Sequence, residues 1–259
     1  MKTFRRLTFS AVVLLGFAGP AAAADLLAPV EVTTESGWTF SFVPYLWAAG
    51  LEGDIAVSGL PSVEVDASFL DIIKHFDFGF MGVGEARYGN LGFVSDFMYI
   101  KLSADNEVTA GPIDADIELS SEMLTFLGAA EYRLIDAEGG SLDALAGARV
   151  WWVKTELDFD GVALDASGSD SETWIDPIIG LKGRLNFNED FYFTSWAMIG
   201  GFGVSSDFIW DVMGGLGWNA WDSVSLVAGY RGLGVDYEHD GFLFDIVQHG
   251  PLIGAAFRF

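Results

Sequence analysis

The chain ends on FLFDIVQHGPLIGAAFRF, residues 242–259, and this ending constrains the fold more than any other stretch. Counting back from the last residue in steps of two gives Phe259, Phe257, Ala255, Ile253 and Pro251, all apolar or small. The alternate set, Arg258, Ala256, Gly254, Leu252, Gly250 and Gln248, is more polar. A period of two is the mark of a strand with two different faces. Here the apolar face runs to the final residue, which suits a strand whose outer side is wetted by lipid.

Composition supports that reading. The chain is 51% hydrophobic and 15% aromatic, with 32 Gly. Yet past the N-terminus no run of about 18 apolar residues occurs, so helical spans are not expected. High apolar content without long runs fits strands in which every second residue meets lipid.

The N-terminus reads as a secretory signal peptide, residues 1–24. Lys2, Arg5 and Arg6 precede an apolar core from Leu7 to Phe17, and Ala21–Ala24 supply small residues before the cut. Its removal leaves 10 Lys+Arg against 37 Asp+Glu, a charge of −27. Such an acidic chain is a poor partner for nucleic acid. There is no Cys, so nothing depends on an oxidising compartment.

Residues 25–36 read as a flexible lead-in, and 37–259 as one domain. Ten long strands are expected: Trp38–Ala49, Phe78–Tyr88, Leu91–Ser103, Leu119–Leu134, Ser141–Glu156, Thr173–Phe187, Phe191–Val204, Phe208–Trp218, Val224–Val235 and Phe242–Phe259. Short links at 89–90, 135–140, 188–190 and 219–223 alternate with longer ones at 50–76, 104–118 and 157–172 and intermediate ones at 205–207 and 236–241. In the first long link, Phe69, Ile72, Ile73 and Phe76 share one face of a short helix. Two extended pieces there, Gly53–Val57 and Val63–Ser68, are too short to cross a bilayer at about 9–11 residues per strand. Paired with each other they would raise the strand number to twelve. The pattern predicts an all-β, antiparallel, up-and-down transmembrane barrel of about 10 strands (8–12), with one short helix in the first long loop.

Parity within the strands assigns charges to the lumen. The inward set is Glu85, Arg87, Asp96, Glu131, Arg133, Arg149, Asp176, Lys182, Arg184, Asp211 and Arg231. Buried charges are tolerable when paired, and this mixed set can pair across a lumen. Trp151, Trp174 and Trp196 are bulky inward candidates that would narrow it. The longer links and the start of the last strand carry nineteen acids, from Glu52 to Asp245, against Lys74 alone, so the outer rim is expected to be strongly acidic.

The signal peptide, the alternating strands, the asymmetric links and the terminal Phe257-x-Phe259 together resemble the small outer-membrane β-barrel proteins of Gram-negative bacteria. The stretch SGWTFSFVPYLWAAGLEGDI, residues 36–55, looks like the opening of a largely uncharacterised subgroup. The resemblance implies a cell outer-membrane location, contact with outer-membrane lipid and lipopolysaccharide, and reading of Phe257 and Phe259 by the barrel-assembly machinery. It brings no catalytic residues and no cofactor.

Asp114, Asp116 and Glu118 alternate on one strand face, an oxygen-rich set suited to Ca²⁺ or Mg²⁺, although solvated acids are the commoner case. His239 beside Asp240 could form a base, but neighbours on an extended chain point opposite ways, and no nucleophile is spaced to join them. His75 and His249 stand apart in sequence. No enzyme activity is therefore expected. A barrel of about ten strands is near the size at which side chains fill the interior. The expectation is a narrow or plugged lumen in a structural or surface-interaction protein, with a small-solute channel and an outer-membrane enzyme acting on lipid or peptide as alternatives. A water-soluble barrel with an apolar ligand cavity is a further option, one that would be extractable without detergent.

Overall fold

The computed structural model describes residues 37–57, 62–74, 76–110, 113–161 and 166–259, with backbone only for 73–74, 76–77, 103–110, 113–119, 157–161 and 166. The expected signal peptide and lead-in lie outside the described residues, as does His75.

Twelve strands and one helix follow one another: β1 (Trp38–Trp47), β2 (Gly50–Ala56), β3 (Val63–Ala67), α1 (Phe69–Lys74), β4 (Phe76–Tyr88), β5 (Leu91–Ala110), β6 (Ile113–Ala137), β7 (Gly140–Gly161), β8 (Ala166–Asn186), β9 (Phe191–Gly201), β10 (Phe208–Trp221), β11 (Val224–His239) and β12 (Phe242–Arg258). The sheet runs β1-β4-β5-β6-β7-β8-β9-β10-β11-β12 and closes by pairing β1 with β12, always antiparallel. It is a closed barrel of ten staves.

The two short pieces of the first link do pair, as the hairpin β2–β3, but they add no staves. β2 continues β1 along β12 in the same register, from Trp47↔Leu252 to Gly50↔His249 and on to Ala56↔Leu243. β3 pairs with β2 from Leu51↔Ala67, and α1 is inserted between β3 and β4. Ser68 caps α1: its carbonyl accepts from the Asp71 and Ile72 amides, and its hydroxyl bonds the Asp71 carboxylate at 2.5 Å. Ile72 packs against the apolar lumen. The amphipathic spacing of Phe69 and Ile72 thus serves to turn one helical face inward.

Residues 104–118 and 157–172, expected as long links, are mostly ladder. β5 pairs with β6 to Ala110↔Ile113, and β7 with β8 to Phe159↔Ala166. Beyond the lipid neither face of a hairpin needs to be apolar. Backbone hydrogen bonding can then continue the ladder where alternation of apolar residues has faded. The expected link at 236–241 shrinks in the same way, to a turn at Asp240–Gly241 between β11 and β12.

Pro251 marks a fault in the closure. The Ala48 amide donates to the Pro251 carbonyl at 2.8 Å, but proline has no N–H to return. A hydrogen-bonded antiparallel pair exchanges two such bonds, and this one has a single bond. The break between β1 and β2 falls here, opposite Pro251 and Gly250. A Cβ on Gly250 would lie 1.9 Å from the Ala48 carbonyl oxygen, so only glycine allows the two strands to approach this closely. The missing donor leaves a local gap in the pairing at the closure. At the other end the ladder holds to the last residue, with Phe40 and Phe259 exchanging both bonds, at 2.9 and 3.2 Å.

The outer face is apolar. Leu216 and Ile253 are each 60% exposed, and Phe42, Phe80, Phe93 and Ile179 also face outward. In water each such side chain forgoes roughly 1.5–3 kcal/mol of burial. Trp38, Tyr88, Tyr132 and Trp221 gather at the short-turn end. An apolar band edged by aromatic rings is the surface a bilayer solvates.

Candidate functional site in the barrel lumen

Because side chains alternate along every stave, the sequence fills the lumen in layers. Nearest the short turns, two carboxylates of β4 and β6, Glu85 and Glu131, share Lys182 of β8 at 2.7 and 2.6 Å. Arg87 reaches Glu131 at 2.7 Å, Glu85 at 3.1 Å and Asp143 at 3.2 Å, and Arg133 holds Asp143 at 2.7 Å. Five of the residues expected inside meet here. Asp143 is the member missing from the expected set. It shares parity with Arg149 on one strand, which was the available signal, and it lies fully buried between two arginines.

Above this layer Val94, Leu127, Leu145, Ile178 and Met198 form an apolar cluster, with Val83 and Trp196 packed against it. A void of about 10 Å³ remains among them, barely room for one water.

The next layer is a second charge group. Arg231 lies 2.6 Å from Asp96 and 2.7 Å from Asp211, and Arg149 lies 2.5 Å from the same Asp211 oxygen. Asp211 also accepts from the Trp196 indole at 2.8 Å. The Tyr45 hydroxyl donates to Asp96 and accepts from Arg231, both at 2.7 Å. The Arg231 guanidinium sits 5.1 Å from the ring centres of Trp47 and Trp196. Tyr45, Trp47 and Trp196 were legible as aromatics but not as partners of these ions. Their contacts cross from β1 and β9 to β11, and no single strand shows them.

Asp176 departs from the expected pairing. It faces no base. Its two oxygens accept from the Ser206 amide at 2.8 Å and hydroxyl at 2.7 Å, and Trp174 donates to the same hydroxyl at 2.9 Å. Ser206 belongs to the β9–β10 connection, which therefore tucks into the lumen. Among the described residues Arg184 also has no carboxylate within ion-pair distance. It bonds Asn186 and stacks on Tyr192, 3.4 Å from the ring centre.

At the long-hairpin end the layer is aromatic. Trp151, Trp174 and Tyr237 stack in series, 5.7 and 3.9 Å between ring centres, with Phe242 and Phe244 beside them.

The other candidates are scattered. Asp114, Asp116 and Glu118 lie on β6, but their side chains fall outside the described residues. Among the described residues no cluster of three or more metal-ligating side chains occurs. His239 and Asp240 come within 3.5 Å of each other, both largely exposed. Alternation does not separate them, because Asp240 turns the chain with a left-handed φ of 47°. His249 faces outward between Tyr230, at 2.6 Å, and Glu52, at 3.5 Å.

No family model and no curated relative matches the chain. Solved structures do. The outer membrane protease OmpT from Escherichia coli is similar over 90% of this chain and all of its own, with a TM-score of 0.56 and 10% identity. The chain has the fold of a bacterial outer-membrane β-barrel. The translocator domain of the autotransporter NalP from Neisseria meningitidis agrees, over 88% of this chain and 90% of that domain, at a TM-score of 0.50 and 12% identity. With the apolar belt, the fold places this barrel in the outer membrane. Its short turns gather at one end and its tall hairpins at the other, and in barrels of this architecture the short turns are the periplasmic ones. At such low identity the likeness concerns architecture alone.

Proposed function

We propose that this outer-membrane barrel has a structural or surface-interaction role and that its lumen does not conduct. The stacked filling of the lumen carries this reading. Two ion-pair layers enclose an apolar layer, and an aromatic layer covers them on the outer side. A small solute would have to break several buried ion pairs and displace packed rings. Each buried pair broken on one side costs about 3–5 kcal/mol. The acids of the rim then face outward as the surface available to partners.

A catalytic role receives less support. OmpT is a protease, but the His239–Asp240 pair here stands on an open turn, its side chains 59% and 89% exposed.

Liposome swelling tests the reading. Vesicles containing the full chain should swell in isotonic pentose no faster than empty vesicles. Swelling that scales with protein content would favour a small-solute channel.

A further inference from the structure

Lumen arginines are distributed unevenly, and two of them are left over. Every other Lys or Arg whose side chain is described has a carboxylate within ion-pair distance: Arg87, Lys101, Arg133, Arg149, Lys154, Lys182 and Arg231. Arg184 and Arg258 have none among the described residues. In a chain with 37 acids and 13 bases this is unexpected, because carboxylates are abundant and bases scarce.

Both stand at the periplasmic mouth. Arg184 is two residues from the end of β8, and Arg258 ends β12. Between them the inward positions of three staves complete an arc. Tyr192 of β9 lies flat on Gly217 of β10, where a Cβ would come within 2.0 Å of the ring, and Arg184 stacks on its other face. Asn219 of β10 and Ser225 of β11 follow, bonded to each other at 2.9 Å. Arg258 closes the arc with one nitrogen, Nη2, 3.3 Å from the Asn219 oxygen and 2.5 Å from the Ser225 hydroxyl. Arg184 commits its Nε to Asn186 at 2.9 Å. A guanidinium offers five N–H donors in a planar fork, so each arginine keeps donors beyond these bonds. Two half-buried cations with no carboxylate within ion-pair distance among the described residues repel each other and gain most from a shared anion, which planar guanidiniums bind in a bidentate manner.

We propose that Arg184 and Arg258 form an oxyanion-binding site at the periplasmic mouth, taking a carboxylate or phosphate group. Tyr192 positions the Arg184 fork, and the Asn219–Ser225 pair positions that of Arg258. The anion can be a diffusible solute or a carboxylate of the lead-in, Glu31 or Glu35, which precede Gly37 by a few residues in the sequence.

Calorimetry on the full chain in detergent micelles at low ionic strength, with inorganic phosphate as titrant, tests the site. Phosphate should bind. Arg184→Gln and Arg258→Gln should each weaken it about tenfold, the scale of one charge-assisted hydrogen bond. The double variant should lose it while keeping the heat-modifiable gel mobility of a folded barrel. Repeating the titration with Glu31→Gln and Glu35→Gln identifies the source of the anion. Tighter phosphate binding supports occupancy by the lead-in, and unchanged binding supports a diffusible anion. No phosphate heat in either background, or undiminished heat in the double variant, would overturn the proposal.

Discussion

Arg231 and Asp96 meet 2.6 Å apart, although 135 residues separate them in the chain. The contact spans the lumen from β11 to β5, staves that are not neighbours in the sheet. It exists because closure of the barrel brings opposite walls within reach of a guanidinium. Both groups are almost wholly buried, so each is tolerable only in the presence of the other.

Replacing Arg231 by Met should therefore destabilise the barrel by about 3–5 kcal/mol, since Asp96 and Asp211 are left buried with less counter-charge. Urea unfolding in lipid vesicles measures it. Adding Asp96→Asn to Arg231→Met should recover part of the loss, because one of the orphaned charges is removed. Additive losses would mean that the two residues do not interact.

Gly217 gives a steric prediction. Its missing side chain makes room for the Tyr192 ring, which a Cβ would approach to 2.0 Å. Gly217→Ala should push the ring off the strand at a cost of about 1–3 kcal/mol. Pairing it with Tyr192→Ala should abolish most of that cost, as read from the same unfolding curves.

At the closure, Pro251→Ala supplies the amide that the Ala48 carbonyl lacks. Hydrogen exchange should show this new amide protected to the same degree as its neighbours in β12. A freely exchanging amide at position 251 would show that the gap has a cause other than the missing donor. The net change in stability should stay small. One hydrogen bond contributes about 0.5–1.5 kcal/mol, and loss of proline stiffness costs about 0.4–1.

Beyond the belt, Asp236, Asp245 and Asp54 lie side by side across β11, β12 and β2. Burial raises the Asp245 carboxyl above its ordinary range, and Asp236 and Asp54 raise it further. Burial raises Asp236 likewise, with Asp207 and Glu238 adding to it. Carboxyls raised in the folded state hold protons that the unfolded chain has lost. Stability of this outer hairpin should thus fall as pH rises through that window, starting from the ordinary value of about 3.9. Proteolysis of the extension across pH 4 to 7 follows it, and Asp245→Asn should flatten the dependence.

Much of the fold was legible because lipid on one side and packed polar layers on the other impose a strict period of two. The ten staves, their order and the inward parity of Arg149, Asp211 and Arg231 follow from it. The tall hairpins were not legible. Stretches such as SADNEVTA, residues 103–110, leave the lipid and lose the contrast between faces, while their hydrogen-bonded ladder continues. The two ion-pair layers could not be resolved for a related reason. Parity places Glu85 and Asp96 on one side of the wall, but which base each one meets depends on stagger around the whole barrel. Asp176 shows this best: it sits opposite Arg149 in the ladder, yet Arg149 turns to Asp211 and a loop serine takes Asp176.

The central claim is that the lumen is sealed. Single-channel recording of the full chain in planar bilayers at high salt tests it most directly. Sustained silence at moderate voltage, under conditions where a control porin inserts and conducts, is the predicted result. Stable, uniform unitary steps from the wild-type chain would contradict it.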